Sequence, residues 1–448
     1  MHVPFCRARC DYCEFYSLPV GEAVDVPAGE SAGAAVGGSA GVSVGARSLA
    51  ALLDRYVEAL LAEWRAEAAR LSVRRLETVF IGGGTPSLLG PERLDRLLTV
   101  LEPLLTAHAE VTVETNPEDV DEAFAAWAVA RGIRISLGVQ SFQSAQRVAL
   151  GRHAASAGAT VDPAGCAAVA DPAAAFARLR AAGVANLSVD LIFAIPGQNE
   201  ADLEADLAAV AALRPDHVSW YELGVVAGTA LAERLGGEVE GKAGRPAGGA
   251  GVAAGAGDAA ANEAEADRQA ELYRRVVRGL GRLGYDWYEV SNFALPGRRA
   301  RHNLAYWRGR AYLGLGPSAV STVGGERWRN LPDAKAYMDA LVPASAVVVP
   351  ASAAAAPAPP DTSSAPASPR EHEHLDQAAL ARERLLLAAR IGARVPLAEL
   401  EPYIDSSALA ALAASGYISL RGGTLLVTRK GRYVATAVCV RLFRDTCL

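Results

Sequence analysis

The chain has 448 residues, 51% of them hydrophobic and 21% charged, with a formal net charge of −6. That length accommodates a large core and two or three domains, and the acidic balance argues against phosphate-driven nucleic-acid binding, which would need a basic face. No uncharged apolar run is long enough to span a membrane, and no basic segment followed by an apolar one marks a secretory signal, so a cytoplasmic protein is expected.

In that reducing compartment, clustered cysteines are more often metal ligands or catalysts than disulfides. Cys6, Cys10 and Cys13 stand in a C-x3-C-x2-C spacing and make up half of the six cysteines. Three thiolates reach three corners of an iron–sulfur cube, whereas a 4Fe–4S cluster that only carries electrons takes four. One iron is then open to a substrate or cofactor, as the open position of a catalytic zinc is. A structural zinc site would want a fourth Cys or His at short spacing, and only His2 is near.

Residues 20–47 are rich in Gly, Ala, Ser and Val and read as a flexible insertion. From 50 to 71, Leu53, Val57, Leu60 and Trp64 recur at helical spacing between charges. A short apolar strand at 78–81 ends in Gly82-Gly83-Gly84. Strand patterns at 110–114, 133–139, 187–193 and 217–223 then alternate with helical ones at 91–105, 118–131, 173–182 and 200–213. Such alternation predicts βαβ units and a parallel sheet. Ligands bind at the carboxyl ends of such strands, where Gly83, Glu114, Gln140 and Asp190 stand.

Two tracts rich in Ala and Gly, 153–172 and 236–264, are expected to be surface insertions. A charged amphipathic helix follows at 265–284, then a stretch dense in aromatic and polar residues at 285–320. A Pro/Ala/Ser segment at 343–370 reads as a linker. Beyond it, helices at 376–391 and 407–415, a strand pair at 417–420 and 424–428, and a last helix from Lys430 resemble a winged helix, read as a packing or partner surface.

Several of these residues carry chemistry. The glycines of Ile-Gly-Gly-Gly-Thr-Pro-Ser at 81–87 let the backbone approach a ligand's amine or carboxylate, though such a sequence is also an ordinary turn. Glu114 could hold a cationic amine or a ribose hydroxyl, or be an N-cap or surface acid. Asp190 is flanked by strand-like apolar residues, and an unpaired buried carboxylate costs several kcal/mol, so it is expected to have a partner.

Taken together, His-x-Pro-Phe-Cys-x3-Cys-x-Tyr-Cys, Gly-Gly-Gly-Thr-Pro, Glu-x-Asn-Pro, Gly-Val-Gln-Ser-Phe and Asp-Leu-Ile-x-x-x-Pro-Gly-Gln, in that order, resemble the radical S-adenosylmethionine (SAM) enzymes. The resemblance is to the oxygen-independent coproporphyrinogen III oxidase group. It implies a partial (β/α)6 TIM-like barrel over 1–235, an extension over 265–342 and a winged-helix-like α+β module over 371–448. It also implies a 4Fe–4S cluster on Cys6, Cys10 and Cys13, with SAM on the open iron. The SAM contacts carried over by motif are Gly83, Gly84, Thr85, Glu114, Gln140, Arg152 and Asp190. In such enzymes an electron from the cluster cleaves SAM to a carbon radical.

The group has two branches. The oxidases, which decarboxylate two propionates of coproporphyrinogen III, carry a further cysteine two residues after the third; this chain has Phe15 there. The heme chaperone branch, HemW, is similar to this sequence in having Phe. It also has a His-Asn-x-x-Tyr-Trp signature, matched by His302, Asn303, Tyr306 and Trp307. An imidazole is a common axial ligand of heme iron, and the two aromatic rings could flank a macrocycle; alternatively His302 caps a helix and the rings are core.

The resemblance therefore implies a heme chaperone with heme and heme-accepting apoproteins as partners, at the inner face of the membrane in some cases, an electron donor for the cluster, and no nucleic acid. The alternative is the oxidase reaction itself. The pattern is departed from twice: the family's Tyr two residues before the His has no counterpart ahead of Met1-His2, and Val320 stands where related chaperones carry a His.

Overall fold

The computed structural model describes residues 1–20, 46–152, 170–236, 259–342 and 368–443. Most of each of the expected low-complexity tracts (20–47, 153–172, 236–264 and 343–370) lies outside the described residues. The described chain divides into two compact units, one of residues 1–9, 15–115 and 312–373, the other of 10–14, 116–311 and 374–448.

In the first unit the strands His2–Val3, Leu76–Gly83 and Leu105–Thr115 run parallel. The helix Ala46–Arg70 buries Leu53, Tyr56, Val57, Leu60 and Trp64 along one stripe, as the helical spacing predicts. Helix Gly90–Leu101 buries Leu94, Leu97, Leu98 and Leu101, and Arg93 and Arg96 tie it to the long helix through Asp54 and Glu58. It ends short of the expected 105 because Pro103 cannot donate into a continuing helix, and Leu105 already pairs in the sheet. Strands Val320–Val323, Glu326–Asn330 and Arg370–Glu373 form an antiparallel sheet, with helix Ala334–Leu341 in the same unit. The strand Arg370–Glu373 thus falls where the sequence reading puts the end of a linker and the start of the last module.

In the second unit the strands Arg134–Gln140, Leu187–Phe193 and His217–Glu222 run parallel. Asn292–Ala294 pairs antiparallel with the last of these, and Asp286–Glu289 pairs with it in turn. Helix Glu200–Leu213 spans its expected residues, started by a capping box in which Asn199 and Asp202 satisfy each other's backbone N–H groups. Helix Glu122–Ala130 starts later than expected: Pro117–Asp119 forms a separate 3-10 turn, and Asp121 caps the helix by accepting from the Phe124 N–H at 2.7 Å. The helix expected at 265–284 begins at Ala259, inside the stretch expected to be an insertion. Short helices at Ser144–Ala149 and Ala230–Arg234 carry too few turns to show periodicity in the sequence.

The last module has its own core of Leu385, Val395, Leu400, Ile418, Leu425, Val427 and Leu442. Its order is helix Gln377–Ile391, strand Arg394–Pro396, helix Ser406–Ala414, then the hairpin Ile418–Arg421 and Thr424–Val427. Gly422 and Gly423, both at positive φ, turn that hairpin. Helix, strand, helix and hairpin in this order match the expected winged-helix-like arrangement.

Candidate functional site

The cysteine stretch begins in the first unit. His2 and Val3 pair with Gly82 and Gly83, the Gly84 N–H donates to the Val3 carbonyl at 2.7 Å, and the Thr85 N–H donates to that of Phe5 at 2.7 Å. The Thr85 hydroxyl lies 3.6 Å from the Cys6 sulfur, to which it donates. Glycine is required at 84, since a Cβ there would sit 2.6 Å from the Phe5 carbonyl oxygen and 2.9 Å from the Cys6 sulfur. Gly83 adopts φ +113°, a conformation natural to glycine, and its N–H donates to Glu114 Oε2 at 3.0 Å. The glycine loop therefore holds Cys6 and Glu114 together, a link the sequence reading did not make. Gly84→Ala is expected to strain this crossing by about 1–3 kcal/mol and to lower the iron bound after anaerobic reconstitution. Full iron content with an unchanged melting temperature would show that the crossing tolerates a methyl group.

Cys10 and Cys13 belong to the second unit, where the Cys13 N–H donates to the Cys10 carbonyl at 3.0 Å in a tight turn. Asp11 anchors the turn: its carboxylate pairs with Arg234 at 2.9 Å, and its backbone bonds to Leu150 and Leu231. Burial pushes the Cys10 thiol pKa up, opposed by the Arg152 guanidinium. Among the described residues no three His, Cys, Asp or Glu side chains are grouped to hold one metal ion. A 4Fe–4S cluster makes no such demand, since each thiolate takes a different iron.

Arg152 is 8% exposed and donates to the Gly138 carbonyl at 2.6 Å and to Asn116 Oδ1 at 2.7 Å. It also lies 3.6 Å from Glu118. Ser136 and Gly138 share one face of their strand by its two-residue period, and the register with the next strand shifts between Gly138 and Gln140. A Cβ on Gly138 would come within 3.0 Å of Asn116 Oδ1 and 3.2 Å of Gln140 Nε2, so Arg152, Asn116 and Gln140 crowd round a glycine. Gln140 takes a left-handed φ of +66°, the kind of strain that clusters at functional sites.

Asp190 lies beside Gly138 on one side and Ser219 on the other. The Ser136 hydroxyl donates to Asp190 Oδ2 at 2.8 Å, while Oδ1 is buried without a hydrogen bond among the described residues. Burial raises the pKa of this carboxyl, and the Ser219 and Ser136 hydroxyls oppose the rise. The partner expected for Asp190 is thus half supplied by serines that only the parallel register identifies, and the remaining oxygen suits a ligand hydroxyl or amine.

His302 and Tyr306 lie on helix Arg301–Trp307, their rings edge-on with centroids 5.0 Å apart. Burial lowers the His302 pKa to about 3, so its imidazole is neutral at physiological pH. The Arg390 guanidinium lies over one face of the Trp307 ring, 4.3 Å from the centroid. At the two departures from the family pattern, the Met1 amine donates to the Phe80 carbonyl at 2.6 Å, and Val320 is partly exposed on an edge strand. Phe15 is 54% exposed and so is not a core residue.

The radical SAM superfamily profile matches residues 1–210. A heme chaperone HemW from Mycobacterium tuberculosis is 34% identical over 98% of this chain and 92% of its own length. The chain belongs to the HemW family of radical SAM proteins. Another member, from Lactococcus lactis, is 31% identical over 76% of this chain and 73% of its own. Among solved structures, the Escherichia coli coproporphyrinogen III oxidase HemN, a radical SAM enzyme, aligns with a TM-score of 0.67 at 18% identity, over 99% of this chain and 89% of that one. The fold is therefore that of radical SAM and HemN-like proteins, mixed α/β with a parallel central sheet, consistent with a partial TIM-like barrel. Membership of the superfamily implies a 4Fe–4S cluster and SAM. No helix among the described residues is long and apolar enough to cross a membrane.

Proposed function

We propose that this protein is a heme chaperone that binds a 4Fe–4S cluster, SAM and heme and hands heme to heme-requiring apoproteins. The observation that carries this reading is the likeness, along nearly the whole chain, to proteins named heme chaperones. Cys6, Cys10 and Cys13 are assigned to the cluster. Gly83, Gly84, Thr85, Glu114, Gln140, Arg152 and Asp190 are assigned to SAM, and the buried open oxygen of Asp190 suits that role. Once bound, the cluster supplies an electron and an open iron for SAM. The residues around it bind and orient: Thr85 donates to a cluster ligand, and Arg152 braces the strand end beside Gln140. A cytoplasmic location, an external electron donor and heme acceptors at the membrane belong to the same proposal.

His302 is assigned to heme iron, since a neutral imidazole has a lone pair to donate. The test is anaerobic reconstitution followed by heme titration of the wild type and His302→Ala. The variant is expected to bind heme at least about tenfold more weakly and to lose the absorption of a histidine-ligated heme. No heme binding by the wild type would sink the chaperone reading, and equal binding by the two proteins would sink the assignment of His302.

A further inference from the structure

The His-Asn-x-x-Tyr-Trp helix packs against helix Gln377–Ile391 of the last module. Two of its four signature residues point into that junction. Glu289 is completely buried. Its Oε1 accepts from Arg390 Nε at 2.6 Å, with a second guanidinium nitrogen at 2.5 Å. Its Oε2 accepts from the Ser291 N–H at 3.1 Å and from Asn292 Nδ2 at 2.5 Å. Asn292 Oδ1 in turn accepts from Asn303 Nδ2 at 3.4 Å. The same Arg390 guanidinium covers Trp307, one turn of helix beyond Asn303. The connections form a ring: Arg390 to Glu289, to Asn292, to Asn303, along the helix to Trp307, and back to Arg390.

The two links made by Arg390 are costly to break. A carboxylate with no exposed surface needs its cation, because removing one member of a buried pair leaves an uncompensated charge. A planar guanidinium that ion-pairs at its edge and stacks on an indole by its face is a role lysine cannot copy. A second attachment, Arg432 over Trp287 at 4.1 Å, holds the segment that follows the hairpin.

We propose that Arg390 is a positioning residue for His302: held by Glu289 and lying on Trp307, it fixes the helix that presents the imidazole, so ligand binding at His302 depends on the docked C-terminal module. Asn303 and Trp307 then serve the latch, and His302 and Tyr306 serve the ligand. The inference rests on the assignment of heme to His302.

The test uses full-length protein with its cluster reconstituted, comparing wild type, His302→Ala, Arg390→Ala, Arg390→Lys and Trp307→Phe by heme titration and by the spectrum of bound heme. Arg390→Ala is expected to bind heme about 10- to 100-fold more weakly, as residues that orient a metal ligand do, and to shift the spectrum toward that of His302→Ala while cluster content stays at the wild-type level. Arg390→Lys is expected to behave like Arg390→Ala, because it keeps the charge but not the plane. Trp307→Phe keeps a ring under the guanidinium and is expected to retain most of the affinity. If Arg390→Ala does not fold, Arg390→Lys and Trp307→Phe carry the comparison. Wild-type affinity and spectrum in Arg390→Lys, with His302→Ala impaired, would overturn the latch. Equal heme binding by wild type and His302→Ala would instead overturn the assignment of His302 on which it rests.

Discussion

Cys10→Ala, reconstituted anaerobically with iron and sulfide, is expected to lose the 4Fe–4S cluster. Bound iron should fall from about four atoms per chain to below about one, and the broad visible absorption of the cluster should vanish. The expectation follows from ligand number. Three thiolates are the fewest that leave only one iron open, and a chain with two would have to leave a second iron to solvent. Cys10 is the most telling of the three to remove, because its turn is pinned on both sides: the Cys13 N–H donates to its carbonyl and Asp11 is anchored to Arg234, Leu150 and Leu231. The rest of the loop therefore has every reason to stay in place when the sulfur is gone. Cys439, buried in the core of the last module, is the matched control, and Cys439→Ala should keep its iron. A Cys10→Ala protein carrying a full complement of iron would refute the cysteine assignment.

Glu63→Ala is expected to destabilise the protein by about 3–5 kcal/mol, the cost of removing one member of a buried charged network. Glu63 is 1% exposed. It accepts from the Gly316 N–H at 2.8 Å, Asn330 Nδ2 at 2.7 Å, the Tyr337 hydroxyl at 2.6 Å and the Ser368 hydroxyl at 3.2 Å. Deleting the carboxylate strands the buried Gly316 N–H and Tyr337 hydroxyl, each worth roughly 1–3 kcal/mol when unsatisfied and not additive in sum, while Asn330 Nδ2 keeps the Gly316 carbonyl and the Ser368 hydroxyl keeps Asn330 Oδ1. Arg370, paired with Glu67 at 2.8 Å, sits at the edge of the same network.

Burial raises the Glu63 pKa above its ordinary value. The sign follows from proton counting. Between the unfolded pKa, near 4.3, and the higher folded one, the folded chain holds a proton that the unfolded chain has lost, so stability falls as pH rises through that window. Glu63→Gln removes that contribution, so its melting temperature should change less over the same interval. Chemical denaturation of the wild type, Glu63→Ala and Glu63→Gln at several pH values measures both effects. A loss below about 1 kcal/mol for Glu63→Ala would mean that water replaces the carboxylate and the network is not a structural hub.

This network also shows how the site is kept in shape. The Tyr56 hydroxyl donates to the His2 carbonyl, the His2 N–H donates to the Leu315 carbonyl at 2.8 Å, and a Cβ on Gly316, which has φ +99°, would be 2.5 Å from the His2 carbonyl oxygen. The strand that leads into the cysteines is thus fixed by a segment more than three hundred residues away, next to the residue whose N–H Glu63 accepts.

Local pattern alone marked the residues proposed for the chemistry. The spacing of Cys6, Cys10 and Cys13, the glycine loop at 82–84 and the polar residues ending each strand depend on short-range requirements of ligand number, close approach and pleat, which are written within a few consecutive residues. The alternation of strand and helix likewise fixed the parallel α/β class, because apolar period is a local property. Helix ends were less legible where a proline or a cap intervened, as at Pro103 and Asp121.

Partnership between distant residues was not legible, because hydrogen-bond register and burial are properties of the assembled chain. Glu63 reads in sequence as one acid on a charged helix, and only packing against residues 316, 330, 337 and 368 turns it into a buried hub. Ser136 and Ser219 become partners of Asp190 only through the parallel register. Trp307 reads in sequence as a surface for a macrocycle or as core, and only the fold brings Arg390, eighty-three positions later in the chain, onto one face of its ring. The sequence marked the residues proposed to carry chemistry; tertiary structure decided which side chains pack on and bond to one another, since that depends on which groups desolvate each other across the fold.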